Sequence, residues 1–172
     1  MSFLDLAKKR YSARKYKSKE VEKEKIDLIL EAARVAPTGA NRQPQRIIIV
    51  NDKKYLEKLS KATKFFDAPL VFIICCDNNE TWTRSYDGKK LTDIDTSIVT
   101  DHMMLQATDI GLDSVWICRF EPEILKKEFN IPNHIEPVNI LAVGYGDCEK
   151  ASSDRHSTAR KNIKDTIIYN SF

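Results

Sequence analysis

Residues Asp93–Cys118 read DIDTSIVTDHMMLQATDIGLDSVWIC, and this stretch decides the fold. Its first part, Asp93–Ile110, predicts a helix with Ile94, Ile98, Val99, Met103, Met104, Leu105 and Ala107 on more than one side. A helix apolar on several sides is central in its fold or buried between subunits. Gly111 stands where a left-handed helix cap is expected. Ser114–Cys118 then predicts a strand, so helix and strand are joined by a tight turn.

The same alternation continues outward. Residues 3–9 predict a short helix with Ser2 as N-cap. Glu22–Val35 predicts an amphipathic helix, because Ile26, Ile29, Leu30 and Ala33 recur at helical spacing. Pro37-Thr38-Gly39 ends it. Ile47–Val50 and Leu70–Cys76 are β-branched or apolar runs and predict strands. Asp52–Thr63 and Pro122–Phe129 predict helices, Val138–Val143 another strand, and Thr166–Tyr169 an edge strand. Residues 77–92 are mostly polar, carry Trp82 and Tyr86, and predict a long loop of the kind that forms lids. Alternating helices and apolar strands imply an α/β or α+β fold with one covered sheet, and 172 residues without a linker imply one domain over 1–172.

Composition excludes several chemistries. The five glycines, at 39, 88, 111, 144 and 146, allow neither GxGxxG nor GxxxxGK[ST]. A phosphorylated cofactor would therefore have to be met by basic side chains. Net charge is 28 − 25 = +3, too small to imply nucleic-acid binding. Residues 1–25 carry nine Lys/Arg against four acids, whereas 77–101 carries six acids against Arg84, Lys89 and Lys90. A nucleic-acid binder built on residues 8–19 is opposed by that acidic middle. No apolar run has signal-peptide or transmembrane length, which predicts no membrane partner and a cytoplasmic protein. The four cysteines (Cys75, Cys76, Cys118, Cys148) form no CxxC and read as reduced, mostly buried thiols, Cys118 included. The three histidines lack ligand spacing, so no metal site is expected.

Two stretches could carry chemistry. In Arg10-Tyr11-Ser12-Ala13-Arg14, an extended chain puts Arg10, Ser12 and Arg14 on one face, where two guanidiniums and a hydroxyl suit a phosphate. On composition alone, a solvated basic segment is the plainer reading. In Ala36–Pro44, Asn41 and Gln43 can pair with the edge of a heterocycle, although Asn, Pro and Gly are also ordinary turn residues. No hydrolase motif, carboxylate pair or Cys–His arrangement is present. Such a chain either only binds, or positions a cofactor that does the chemistry.

Taken in order, these pieces resemble the nitroreductase family of FMN-dependent oxidoreductases. Arg10, Ser12 and Arg14 resemble its Arg-x-Ser-x-Arg segment, APTGANRQPQ its Ala-Pro-[Ser/Thr]-x-x-Asn-x-Gln-Pro loop, Asp95–Ile117 its central helix and Trp-containing strand, AVGYGD its last strand, and RKNIKDTIIY its basic C-terminal segment. The likeness runs from Phe3 to about Tyr169. It implies an α+β fold with a central, mostly antiparallel sheet flanked by helices, in an intertwined homodimer with FMN at the interface. It further implies that NADH or NADPH reduces the flavin and that a nitro compound or quinone reoxidises it in a ping-pong cycle, with flavin N5 and no side chain as catalyst. A flavin carrier or sensor without turnover is the alternative.

The resemblance also implies roles for residues of this chain. Arg10 and Ser12, flanked by Tyr11 and joined by Arg160 or Lys161, would hold the phosphate. Arg14 and Lys64 would face the pyrimidine side of the flavin. Pro37, Thr38, Gly39 and Asn41 would line it from the partner subunit, with Gln43 supporting that loop. The backbone of Ile117, Cys118 and Arg119, following Trp116, would pass the N5 edge. Cys118 and Arg119 depart from the small residues common there, so Arg119 narrows the substrate side or adds charge. Lys61 stands where some relatives carry an Asn. Loop 77–92 is the candidate cover.

Overall fold

A computed structural model describes residues 1–152 and 154–172. A four-stranded antiparallel sheet, order β1-β2-β4-β3, forms its centre. The strands are β1 (Gln45–Val50), β2 (Leu70–Asp77), β3 (Asp113–Ile117) and β4 (Ile135–Gly144). The helices are α1 (Phe3–Lys9), α2 (Lys23–Val35), α3 (Lys53–Leu59), α4 (Thr92–Asp109), α5 (Pro122–Phe129) and α6 (Arg155–Thr158). This is the α+β architecture expected.

Period-2 alternation in the two inner strands divides the core into two layers. Val71, Ile73 and Cys75 of β2, with Ile140 and Ala142 of β4, join Leu59 and Leu125 from α3 and α5. Leu70, Phe72 and Ile74, with Leu141 and Val143, join Ile26, Ile29 and Ala33 of α2 and Val99, Met103 and Ala107 of α4. Every residue of β2 is buried. The β2–β4 ladder slips between Ile74 and Cys75, opposite Asn139 and Pro137. A proline has no N–H to give a ladder, so an inner strand tolerates it at such an irregularity.

Helix α4 is the central helix its sequence predicts. Its buried threonines meet their own hydrogen-bonding needs: Thr96 and Thr100 donate to the carbonyls of Thr92 and Thr96 at 2.6 and 2.7 Å. Gly111 follows it at φ +81, the left-handed cap expected. Asn139 ties the helix to the sheet. It accepts from Trp116 Nε1 at 2.8 Å and donates to Thr100 Oγ1 at 3.2 Å. Asn139→Ala leaves the Trp116 indole N–H without its partner, and is expected to cost about 1–3 kcal/mol in urea unfolding.

Local rules explain other elements. Ser2 and Asp5 form a reciprocal capping box at α1. Segment 11–16 lies along the free edge of β3, where Ala13 N–H donates to the Ser114 carbonyl at 3.0 Å. Tyr11, Ala13 and Tyr16 turn inward and are buried.

Three expectations are corrected. Helix α3 stops at Leu59, and 60–62 is a turn, because the chain must bend back before β2. Thr166–Tyr169 is not a strand. Among the described residues it pairs with no strand, and an extended segment without a ladder partner is not a strand. The thiols divide two and two: Cys75 and Cys76 are buried, whereas Cys118 and Cys148 are exposed. Cys118 is exposed because β3 ends one residue earlier, at Ile117.

Candidate functional site

The residues singled out in the sequence gather in three places. The first surrounds Arg10. Its neighbours Tyr11 and Ala13 are buried, while Arg10 and Ser12 are half-buried and Arg14 is exposed, so the expected one-face alternation is present. The C-terminal segment folds back onto this point. Arg155 donates to the carbonyls of Lys8, at 3.1 Å, and of Arg10. A concavity there is lined by Arg10, Asp101, His156 and Arg160, among others. Burial first, then the nearby charges of Arg155 and Arg160, push the Arg10 guanidinium below its ordinary value, while Asp101 acts the other way. Three guanidiniums crowd one carboxylate. Such a cluster favours an added anion, because like charges in a partly desolvated site repel. Arg155 was missed as a site residue; its only signal was the basic character of the tail. Lys161 is exposed and makes no side-chain hydrogen bond or ion pair among the described residues.

The second place is a cavity of about 600 Å³ beyond the end of β3. Arg14, Thr63, Lys64, Phe66, Trp116, Ile117, Cys118, Arg119 and Glu121 contribute to its wall. Two hydrogen bonds stitch its sides together: Thr63 Oγ1 to the Arg119 carbonyl at 2.8 Å, and Glu121 N–H to the Ala62 carbonyl at 3.0 Å. Phe66 and Asp67 take left-handed φ values of 61° and 57°, so the chain reverses right after Lys64 and leaves that lysine at the wall. Lys64 Nζ stands 5.4 Å from the centre of the Phe66 ring. Tyr11 and Trp116 behave differently from their neighbours. Tyr11 is buried in the core, its hydroxyl 3.9 Å from Cys148 Sγ, and the Trp116 indole is committed to Asn139.

The third place is the loop before β1. Pro37, Asn41 and Gln43 are exposed, and Thr38 and Gly39 half-buried. Ala40, Asn41 and Gln43 all have positive φ, at 48°, 54° and 53°. Left-handed backbone is unfavourable for non-glycine residues, and persists where surroundings impose it. Here Gln43 N–H donates to Thr38 Oγ1 and Gly39 N–H to Asp95 Oδ1, both at 3.0 Å. Asp95 is buried in α4, and its Oδ2 has no partner among the described residues. Gly39 lets the two loops approach closely: a Cβ there would stand 2.7 Å from Leu91 Cδ1 and 3.1 Å from Trp82 Cβ, so both would have to give way. Loop 77–92 therefore packs on this turn. No residue of either loop lines the cavity beside Lys64 in the same chain.

Known proteins share this fold and sequence pattern. The model of the nitroreductase family matches residues 7–64 and 55–145. A crystal structure of a nitroreductase family protein from Clostridium difficile 630 is 52% identical, with both chains covered completely and a TM-score of 0.98. An FMN-dependent nitroreductase from Clostridium difficile R20291 is 32% identical, covers 99% of this chain and 100% of its own, and has a TM-score of 0.78. The NAD(P)H FMN reductase of Bacillus subtilis strain 168 is 25% identical over 91% of this chain and 71% of its own.

Proposed function

The chain belongs to the nitroreductase family, and from that premise we propose that it is a single-domain, FMN-dependent oxidoreductase acting between NAD(P)H and an aromatic acceptor such as a nitro compound or quinone. The observation that carries the reading is Arg10, half-buried beside Arg155 and Arg160 and short of counter-charge. A phosphate monoester fits that donor set, with the Ser12 hydroxyl on the same face. The cavity beside Lys64 suits the rest of the cofactor: it has cations on its wall, and backbone from Ile117 to Arg119 along one side. FMN held there would supply the redox chemistry between NADH or NADPH and the acceptor, in a ping-pong cycle.

The chain's own residues bind, orient and tune. Arg10, Ser12 and Arg160, with Arg155 bracing Arg10 and Lys161 nearby in sequence, hold the phosphate. Arg14 and Lys64 place positive charge where negative charge develops on the pyrimidine side, so reduction is favoured electrostatically. The backbone of Ile117, Cys118 and Arg119, on the cavity wall, would lie along the reactive edge of the cofactor. Tyr11 and Trp116 act from behind, holding the strand edge and β3 in place. No side chain has to be a nucleophile.

The turn Pro37–Gln43 completes the site from a second copy of the chain, since it does not reach its own cavity. A homodimer also accounts for the unpartnered apolar surface. Phe3 is 72% exposed beside Leu28, Val35 and Leu105, on a concave face shared by α1, α2 and α4. The tail carries exposed Ile167, Ile168 and Tyr169, the last 85% exposed, and these need a surface outside their own subunit. An intertwined dimer buries both.

The purified protein is expected to be yellow, or to become so with FMN, and NADH or NADPH is expected to bleach it without oxygen. A protein that takes up no FMN would sink the proposal; uptake without bleaching by either nucleotide would favour a carrier. Thiol labelling gives an independent reading. Burial pushes the Cys75 thiol up to about 12, so Cys75 and buried Cys76 are expected to stay unreactive in the folded protein. Cys148 and Cys118 are expected to react without FMN, and FMN is expected to slow Cys118 alone. Equal Cys118 labelling with and without FMN would place the cofactor elsewhere.

A further inference from the structure

From the charges around the Lys64 cavity, and resting on the FMN reading above, we infer that the second substrate carries an anionic group and that Arg119 recognises it. The wall holds three cationic side chains, Arg14, Lys64 and Arg119, against one carboxylate, Glu121. Arg14 and Lys64 are committed to the cofactor in that reading. Arg119 has no such commitment. Its side chain is exposed, and it makes no ion pair or side-chain hydrogen bond among the described residues.

Its backbone, by contrast, is fixed. The Arg119 carbonyl accepts from Thr63 Oγ1 at 2.8 Å, and the Glu121 N–H two residues on is bonded to Ala62. A planar, permanently charged fork is thus mounted on a rigid turn at the rim of the cavity. The guanidinium itself is unpaired and can turn to meet a carboxylate at two points, and a neutral acceptor would leave its charge unused. The substrate class assigned is a nitroaromatic or quinone bearing a carboxylate or a comparable anion. For a nitro acid, two NAD(P)H and two protons convert the nitro group to a hydroxylamine, releasing one water and two NAD(P)⁺. The carboxylate is untouched and serves only as a handle.

The test compares 4-nitrobenzoate with its neutral near-isostere 4-nitrobenzamide on the FMN-loaded dimer. The ratio of their kcat/KM values is expected to favour the acid, and to fall about ten- to a hundred-fold in Arg119→Gln. The change should appear mainly in KM. Arg119→Lys is expected to recover part of the ratio, since it restores charge without the fork. Calorimetric binding of benzoate to the oxidised, FMN-loaded protein should weaken in parallel, without any turnover. A ratio that does not move in Arg119→Gln overturns the assignment even if the enzyme is active. So does a variant that changes only the NADPH-to-NADH preference, because the anion read would then be the donor's 2′-phosphate. A protein that binds no FMN at all overturns the underlying reading, and this inference with it.

Discussion

Arg10→Ala is expected to raise the dissociation constant for FMN about ten- to a hundred-fold. In the proposed site Arg10 makes charge-assisted hydrogen bonds to a phosphate, and each is worth about 1.5–3 kcal/mol. That range converts to roughly one to two decades in affinity. The fluorescence quenching of FMN on titration with apoprotein measures it directly. The free protein should gain little or lose little in stability. Arg10 is held beside two other guanidiniums, so its removal relieves repulsion while it exposes the Arg155 contact. Affinity and stability should therefore separate. An Arg10→Ala protein with unchanged FMN affinity would mean that the phosphate lies elsewhere. Added salt should weaken the wild-type protein's FMN binding more than the variant's, because screening acts on the charge that was removed.

Phe72→Ala is expected to have the largest effect on folding. Phe72 is completely buried at the middle of β2, in the layer shared with α2 and α4. Truncating a buried phenylalanine costs about 3–5 kcal/mol, through lost transfer energy and the cavity left behind. For a chain of this size that corresponds to a fall in Tm of roughly 6–20 °C. Thermal unfolding followed by circular dichroism reads it. The neighbouring α4 carries Asp95, which holds Gly39. Loosening this layer should thus also weaken the turn Pro37–Gln43, and FMN affinity should fall even though Phe72 touches no cofactor. A drop in Tm below about 2 °C would mean that the layer repacks around the gap.

Much of the fold was legible because its signals are local. The helical spacing of Ile26, Ile29 and Ala33 and the apolar run of β2 each name their element without reference to distant residues. The Arg10-Ser12-Arg14 face was legible for the same reason: an extended segment alternates whatever it lies against. Thr166–Tyr169 misled because β propensity is local but a strand is a relation between two segments. Cys118 misled because burial at a strand end depends on where the ladder stops. The sequence ran one residue further than the ladder.

The chain by itself determined which elements form, which of their faces are apolar, and the family they resemble. These follow from spacing, propensity and capping, which act over a few residues. Only the tertiary structure decided which distant groups meet. It brought Arg155 and Arg160 to Arg10, set the Arg119 carbonyl on Thr63, and put a buried Asp95 under a turn with three left-handed residues. Those meetings depend on how two layers close over one sheet and on where each buried polar group finds a partner. Neither condition is written in any short stretch of sequence.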